Sequence, residues 1–227
     1  MLVTQKHAVT LLGEQLVLHI DPRRLTHQVN CKKPISKRLE DWLKPAPRAV
    51  RKTLTLPIRK FHPFAVSERW FPETTRVEVR DKYRKVQDLY AHRHDVRQSH
   101  WFATLQDELQ RHGMARHKKL VMRSEAEILA FFEEYVGKLI RSMETNGYRT
   151  DRGADTGTAT IGRDGTLYKG ASGNHRFYVA RLLGACPVPL RVTCVHRGWL
   201  DALGLPPSPT GIAGLGEALQ AVAQRYR

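Results

Sequence analysis

The sequence TATIGRDGTLYKGASGNHRFYVARLLGACPVPLRVTCV occupies residues 158–195 and contains the clearest structural pattern in the chain. Residues 158–161 form a β-branched run that predicts a short strand, and Asp164-Gly165 is a typical hairpin turn. Residues 166–168 predict the return strand. This part of the chain is therefore expected to form a β-hairpin.

A glycine-rich loop follows the hairpin, and in it Gly170 and Gly173 flank two small residues. Apolar residues then recur at helical spacing up to Gly184, a residue type that commonly follows the last turn of a helix. Residues 190–195 alternate between apolar and polar types, as in a strand. The predicted order is hairpin, loop, helix and strand.

The loop enters the predicted helix at five residues, Ser172, Gly173, Asn174, His175 and Arg176. The first N–H groups of a helix have no partner within it and carry the positive end of its dipole, so they favour an anion. His175 and Arg176 add side-chain donors at the same place. We predict that these residues bind phosphate; the alternative is that the glycines only form a tight turn.

Four phrases carry a resemblance to a known superfamily: LIRSMETNGY at residues 139–148, GNHRF at residues 173–177, LLG at residues 182–184 and VPLRV at residues 188–192. In this order they resemble the core of the ParB/sulfiredoxin superfamily, which includes the ParB-like nuclease domain, over about residues 124–196. The resemblance implies a mixed α/β core with a nucleotide at the Gly-x-His-Arg loop. That nucleotide is ATP in sulfiredoxin, CTP in ParB, and ATP or ADP in the free-serine kinases. The resemblance to sulfiredoxin also implies that Lys138 and Ser142 help to hold ATP.

Two departures from the superfamily narrow the implied activity. Sulfiredoxin has its catalytic cysteine between the glycine and histidine of the loop, where this chain has Asn174, so sulfinic-acid repair is not expected. ParB continues into DNA-binding and dimerisation regions, whereas about thirty residues follow the matched core here, so centromere binding is not expected either. The kinase-like members and the ParB-like domains of unassigned role remain.

Composition indicates a globular protein in a reducing compartment. Apolar residues make up 41% of the 227 residues, and the three cysteines include no Cys-x-x-Cys pair. The first twenty residues contain Lys6, Glu14 and His19, so they form neither a signal peptide nor a membrane span. We expect a cytoplasmic protein with no membrane span.

Charge is distributed unevenly along the chain. Residues 1–123 contain 26 Lys/Arg and 12 Asp/Glu, whereas residues 124–227 contain 12 and 10, so nearly all of the net charge of +16 lies in the first segment. Such asymmetry favours a polyanionic partner, either nucleic acid or an acidic surface. The alternatives are a solvated basic face and arginines that serve a phosphorylated substrate.

These patterns predict a mixed α/β protein in three parts. Residues 1–123 are a basic, partly irregular extension that contains the first core strand near residues 15–20. Residues 124–199 are the ParB/sulfiredoxin-like core, and residues 200–227 are a tail with a short helix. Within the extension, residues 23–63 carry five prolines and predict an irregular arm with one short helix at about residues 36–43.

Two further helices precede the hairpin. Ser99 caps a helix that Gly113 ends, and Ser124 begins a capping box ahead of a long apolar stripe that ends at Asn146-Gly147. The polar segment at residues 149–157 is a candidate lid over the nucleotide.

Three carboxylates are candidates to orient an acceptor hydroxyl: Asp21, Glu73 and Glu144. For Asp21 the alternative is a turn before proline, and for Glu144 the partner is either an arginine or magnesium. His92 and His94 could ligate a metal, but neighbouring arginines favour solvated histidines, and we assign no protein metal site.

The leading function is ATP- or ADP-dependent phosphoryl transfer to a small-molecule or surface hydroxyl, with Mg²⁺. Arg176 and His175 would stabilise the transferred group, since such chemistry depends on positioning and electrostatics. The first alternative is a nucleotide-gated DNA- or RNA-binding module that uses the basic segment, with CTP as the alternative nucleotide. A ParB-like nuclease ranks last, because no metal-carboxylate cluster is evident. The acceptor and the oligomeric state are left open.

Overall fold

The computed structural model describes residues 3–149 and 156–227. Within these residues the α-helices are α1 Gln5–Leu12, α2 Pro34–Trp42, α3 Arg48–Lys60, α4 Asp81–Ala91, α5 His100–His112, α6 Glu125–Phe132, α7 Lys138–Asn146, α8 Asn174–Leu183, α9 Arg197–Ala202, α10 Pro209–Ala213 and α11 Gly216–Arg225. The strands are β1 Val17–Ile20, β2 His27–Val29, β3 Ala65–Val66, β4 Thr74–Arg76, β5 Ala115–His117, β6 Leu120–Met122, β7 Gly157–Ile161, β8 Leu167–Lys169 and β9 Val188–His196.

In the described part of the chain the main sheet has seven strands, in the order β1-β9-β7-β8-β2-β4, with β3 beside the end of β9. Its pairings are mixed: β7 is parallel to β9 and β2 to β8, whereas β7–β8, β1–β9 and β2–β4 are antiparallel. Strands β5 and β6 form a separate hairpin. The protein therefore has a mixed α/β fold, as the sequence predicts.

The first segment of the chain is built into this sheet. It supplies β1 next to β9, and β2 and β4 at the other edge. Strand β1 lies inside the segment where the sequence predicts the first core strand. The main sheet thus combines strands from before and after residue 123.

Residues 23–63 are more regular than the sequence suggests. In place of an irregular arm with one short helix, they contain α2 and the 13-residue helix α3. Pro57 lies inside α3, and a proline at an interior helical position normally predicts a break. Here Pro57 is exposed, so the carbonyl that loses its helical partner can be hydrated.

The other helices begin and end where their capping residues predict. Ser99 Oγ accepts from Phe102 N–H (3.1 Å), and Gly113 ends α5 in the left-handed region. Ser124 Oγ accepts from Glu127 N–H (3.2 Å) at the start of α6. The long helix expected after it is interrupted by one π-helical turn, Glu133–Gly137, which joins α6 to α7.

The end of the chain packs against the main sheet. Helix α11 packs against β1, and Tyr226 O accepts from Asp21 N–H (2.7 Å). The Tyr226 hydroxyl accepts from Leu167 N–H at the start of β8 (3.0 Å). No helix among the described residues is long and apolar enough to cross a membrane. The predicted lid falls mostly on residues 150–155, which lie outside the described residues.

Candidate functional site

The loop between β8 and α8, residues 170–173, lies against the start of β7. Gly170 N–H donates to Thr158 O (2.6 Å), and Ser172 N–H donates to Thr158 Oγ1 (3.2 Å). A Cβ at Gly170 would lie 2.2 Å from Thr158 Oγ1, so only glycine allows this approach. Gly173 has φ 69°, in the left-handed region, and turns the chain into α8. The path of the loop therefore requires glycine at position 170 and favours it at position 173.

A buried lysine holds the inner side of this loop. Lys169, the last residue of β8, is fully buried. Its Nζ donates to three oxygens: Gly170 O (2.8 Å), Ser172 O and Asn174 Oδ1 (3.3 Å). Burial lowers the pKa of Lys169 to about 7, and the nearby charge of Lys32 adds to the effect.

The amide of Gln28 on β2 completes this inner network. Gln28 Nε2 donates to Gly170 O (3.3 Å) and to Asn174 Oδ1 (3.1 Å), while Tyr178 O–H donates to Gln28 Oε1 (2.6 Å). The oxygens of Gly170 and Asn174 are thus satisfied from the protein interior. Asn174 therefore stabilises the loop through its side-chain oxygen, and its backbone N–H and its Nδ2 amide group remain for a ligand.

The outer side of the loop consists of the backbone N–H groups of Asn174, His175 and Arg176. Among the described residues, none of these N–H groups has an acceptor, and helical bonding begins with Phe177 N–H to Gly173 O (3.1 Å). They lie at the positive end of a ten-residue helix. This arrangement favours a bound anion.

His175 is a neutral donor at this surface. Its Nε2 lies 2.9 Å from the hydroxyl of Tyr135, and the two rings are 4.5 Å apart. Burial, with a smaller contribution from the positive charges of Lys82 and Lys118, lowers the pKa of His175 to about 4. When Tyr135 O–H donates to Nε2, the proton of the neutral ring lies on Nδ1. His175 can therefore donate one hydrogen bond to an anion but supplies no charge at neutral pH.

Arg176 supplies the fixed positive charge beside the loop. Its guanidinium stacks on the ring of Tyr148 at 4.7 Å, and its Nη2 donates to Arg149 O. Its Nε is buried and has no acceptor within residues 3–149 and 156–227. A buried donor of this kind is costly unless a ligand or another group accepts from it.

Two lysines outside the core motif contribute to the same surface. Lys82 is the second residue of α4. Lys118 lies in the turn of the β5–β6 hairpin with φ 58°, a conformation that non-glycine residues rarely adopt. Burial lowers the pKa of Lys82, and the charges of Lys118 and Arg80 act in the same direction. The charges of Lys82, Lys118 and His117 also lower the pKa of His175, and the charge of Lys32 lowers that of Lys169. Several basic side chains therefore lie close to the loop.

Two of the three candidate carboxylates are paired with arginines away from the loop. Asp21 binds Arg23 (2.8 Å), and hydrogen bonding to Arg23 lowers the pKa of Asp21. Arg23 lies against Gly184, at the end of α8 opposite to the loop. Glu144 binds Arg93 Nε (2.8 Å), so its partner is an arginine.

Glu73 is the candidate carboxylate at the same sheet edge as the loop. It precedes β4, and its Oε2 accepts from Asn30 Nδ2 (3.1 Å) just beyond the end of β2. Because β2 is parallel to β8, with Gln28 opposite Lys169, the carboxyl end of β2 lies beside the start of the loop. Glu73 is exposed and can reach solvent there.

The two residues assigned to ATP through the resemblance lie on α7. Lys138 is exposed and forms an ion pair with Glu134 one turn earlier. Ser142 is also exposed, and its carbonyl accepts from Asn146 Nδ2 (3.1 Å). Neither side chain has a hydrogen bond to the loop, whereas Tyr135 of the preceding turn contacts it through His175.

Magnesium would have to be held largely by a ligand's own phosphates. Within the described residues no group of three or more His, Cys, Asp or Glu side chains is placed to hold a metal ion. His92 Nδ1 instead lies 3.3 Å from Asp88 Oδ1. Mg²⁺ commonly binds through one or two carboxylates and substrate phosphates, so the loop fits it only together with a nucleotide.

Two cavities lie near this region without including the loop. One, of about 480 Å³, is lined by Trp101, His117 and basic residues of α4. The other, of about 350 Å³, lies between the end of α4 and the α6–α7 helix, on the side away from Tyr135. The candidate site is therefore an open surface in the described residues.

Sequence reasoning missed the inner network and the two outer lysines. One signal was available: in β8, period-two alternation places Lys169 on the same face as the buried Leu167. No local signal links Gln28 to residues more than 140 positions later in the chain. Lys82 and Lys118 look like ordinary surface lysines in the sequence.

Comparisons with known proteins do not assign this chain to a family. No family model matches it, and comparisons with curated proteins and with solved structures give no significant match.

Proposed function

We propose that the protein binds a nucleoside phosphate at the loop of residues 170–173 and the first turn of α8, and that it acts as an ATP- or ADP-dependent phosphotransferase. The observation that carries the proposal is positive charge beside backbone N–H groups at the start of α8 that have no acceptor among the described residues. Helix N-termini entered through glycine loops are frequent phosphate sites. The resemblance to the ParB/sulfiredoxin superfamily supports the same position for the phosphates.

In this proposal each residue has a separate role. The N–H groups of Asn174, His175 and Arg176 bind phosphate oxygens, and His175 adds a neutral donor. The guanidinium of Arg176 stabilises charge that develops on the transferred phosphoryl group. Mg²⁺ bound with the nucleotide neutralises part of the phosphate charge. Glu73 is our choice to orient the acceptor hydroxyl, because Asp21 and Glu144 are engaged by arginines.

Thermal-shift titrations with ATP, ADP, CTP, GTP and inorganic triphosphate, with and without Mg²⁺, test the binding step. A ligand at about 100 times its Kd adds about 2.7 kcal/mol to stability. We expect adenine nucleotides to stabilise the wild type, and Arg176→Ala to remove the effect. Arg111→Ala, at an exposed arginine on α5, is the matched control and should respond like the wild type. Stabilisation of Arg176→Ala equal to that of the wild type would refute the site.

The transfer step needs a separate assay. Nucleotide turnover with a panel of hydroxyl-bearing acceptors can be followed by ³¹P NMR. We expect Glu73→Gln to lower kcat by about 10²–10⁴-fold with little change in nucleotide affinity. Nucleotide binding without turnover would indicate a nucleotide-gated switch in place of a phosphotransferase. Selectivity for CTP would favour the ParB-like alternative.

A further inference from the structure

The hairpin of helices α2 and α3 exposes an unusually large number of apolar side chains. Of the ten large apolar residues that are exposed in the described chain, five lie between residues 42 and 61. Trp42 at the end of α2 is 77% exposed, and the four on or directly after α3 are 45–61% exposed: Val50, Leu54, Leu56 and Phe61. This cluster is too dense to be the scattered apolar surface of an ordinary protein.

Helix α3 has its amphipathic pattern turned outward. Val50, Leu54, Pro57 and Phe61 follow the spacing of one helical face and form an exposed apolar stripe. The buried residue of α3 is Thr55, whose hydroxyl donates to Arg51 O (2.8 Å) and to Glu40 Oε1 of α2 (3.4 Å). A surface helix normally turns its apolar stripe to the core. Here the polar side packs on α2, and the apolar stripe is exposed.

The charge around this stripe specifies what can cover it. Residues 42–67 contain six Lys/Arg and no Asp/Glu. Two of the six, Lys44 and Arg59, pair with acids of α2 (3.3 and 3.7 Å). The other four have no ion-pair partner in the described part of the chain: Arg48, Arg51, Lys52 and Lys60. The covering surface must therefore be both apolar and anionic.

We propose that the α2–α3 hairpin docks this protein on an anionic bilayer surface. Basic residues beside Trp, Phe and Leu side chains are the composition of helices that lie in the membrane interface. Aliphatic side chains such as Leu54 and Leu56 gain free energy in the acyl region but little on a phosphate backbone, which favours lipid over nucleic acid. Peripheral docking needs no membrane-spanning helix, and it is independent of the proposed nucleotide site.

Flotation of the full-length protein with lipid vesicles tests the proposal. We expect binding to phosphatidylcholine vesicles that contain about 30 mol% phosphatidylserine, weak binding to pure phosphatidylcholine, and release as salt rises from about 0.1 to 0.5 M. Leu54→Gln/Leu56→Gln and Arg48→Gln/Lys52→Gln should each weaken binding by about tenfold. Leu203→Gln and Arg111→Gln change an exposed leucine and an exposed arginine elsewhere, and should bind like the wild type.

Trp42 provides a local readout. Its emission should shift to shorter wavelength when anionic vesicles are added, and Trp42→Phe should lose that shift while the other three tryptophans remain. The substituted side chains are exposed, so unchanged melting curves would show that each variant is folded. Three results would overturn the proposal. The first two are no vesicle binding by the wild type and full vesicle binding by the leucine variant. The third is that the protein binds a random-sequence oligonucleotide in preference to vesicles, and that the leucine variant binds this oligonucleotide as well as the wild type does.

Discussion

A single buried lysine organises the inner half of the glycine loop. Lys169 binds two carbonyl oxygens of the loop and the side-chain oxygen of Asn174, yet the burial that allows this also lowers its pKa to about 7. Between pH 7 and 10.5 the unfolded chain holds this proton more tightly than the folded protein does. The free-energy cost of burying the charged Lys169 amine applies in full below about pH 7, and it decreases as the pH rises.

We expect the free energy of unfolding of the wild type to rise relative to that of Lys169→Met by about 2 kcal/mol between about pH 7 and pH 9. The physical reason is that methionine has a similar volume and does not titrate. Urea unfolding of both proteins at each pH measures the difference. Lys119→Met, at an exposed lysine, is the control. A difference that stays constant or decreases with pH would contradict the lowered pKa.

His175 reports on the charge at the outer side of the loop. Burial keeps the imidazole neutral down to about pH 4, and a bound anion favours the charged form. We expect inorganic triphosphate to raise the pKa of His175, measured by NMR titration of the ring nitrogens. His112, exposed at the end of α5, should not respond. An equal shift at both rings would indicate non-specific screening.

At the level of elements, the β5–β6 hairpin brings a charge to a helix that lies far from it in the sequence. Its two-residue turn places Lys118 within electrostatic reach of His175, in a left-handed conformation that L residues adopt at a cost of about 1–2 kcal/mol. A turn residue kept at that cost is a reasonable candidate for a ligand contact.

We expect Lys118→Gly to leave stability unchanged or slightly raised, because glycine adopts this conformation freely. The same change should weaken triphosphate binding by about five- to tenfold, because a charge-assisted contact is lost. Calorimetric titration and thermal melts measure the two effects. Lys119→Gly removes the neighbouring charge and should bind like the wild type. Weaker binding by both variants to the same degree would mean that only net charge matters.

At the scale of the whole molecule, the chain interleaves its early and late segments. Strand β1 pairs with β9, β2 pairs with β8, and α11 packs against β1. The three parts expected from the sequence therefore share one sheet and one core cluster.

This arrangement predicts a single cooperative unfolding transition. Leu219 on α11 is buried, and Leu219→Ala should lower the free energy of unfolding of the whole protein by about 2–5 kcal/mol. Circular dichroism and tryptophan fluorescence in urea should give coincident transitions for the variant. Gln220→Ala, at an exposed position on the same helix, should have little effect. Separate transitions from the two probes would show that the tail folds independently.

The sequence by itself determined the local elements of this protein. The hairpin around Asp164-Gly165, the caps at Ser99 and Ser124, and the glycine entry into α8 depend on residues a few positions apart, so pattern and capping chemistry suffice to predict them. Local pattern did not predict helix α3, because Pro57 is a local signal for a helix break.

Only the tertiary structure decided how these elements serve the candidate site. Gln28 binds the loop, Lys118 lies within electrostatic reach of His175, and Glu144 pairs with Arg93, because the strands and helices that carry them pack together. The outward face of α3 is likewise a property of packing, because its spacing alone would predict a buried stripe. Contacts between distant segments depend on burial and on the order of strands in the sheet, which short-range pattern does not encode.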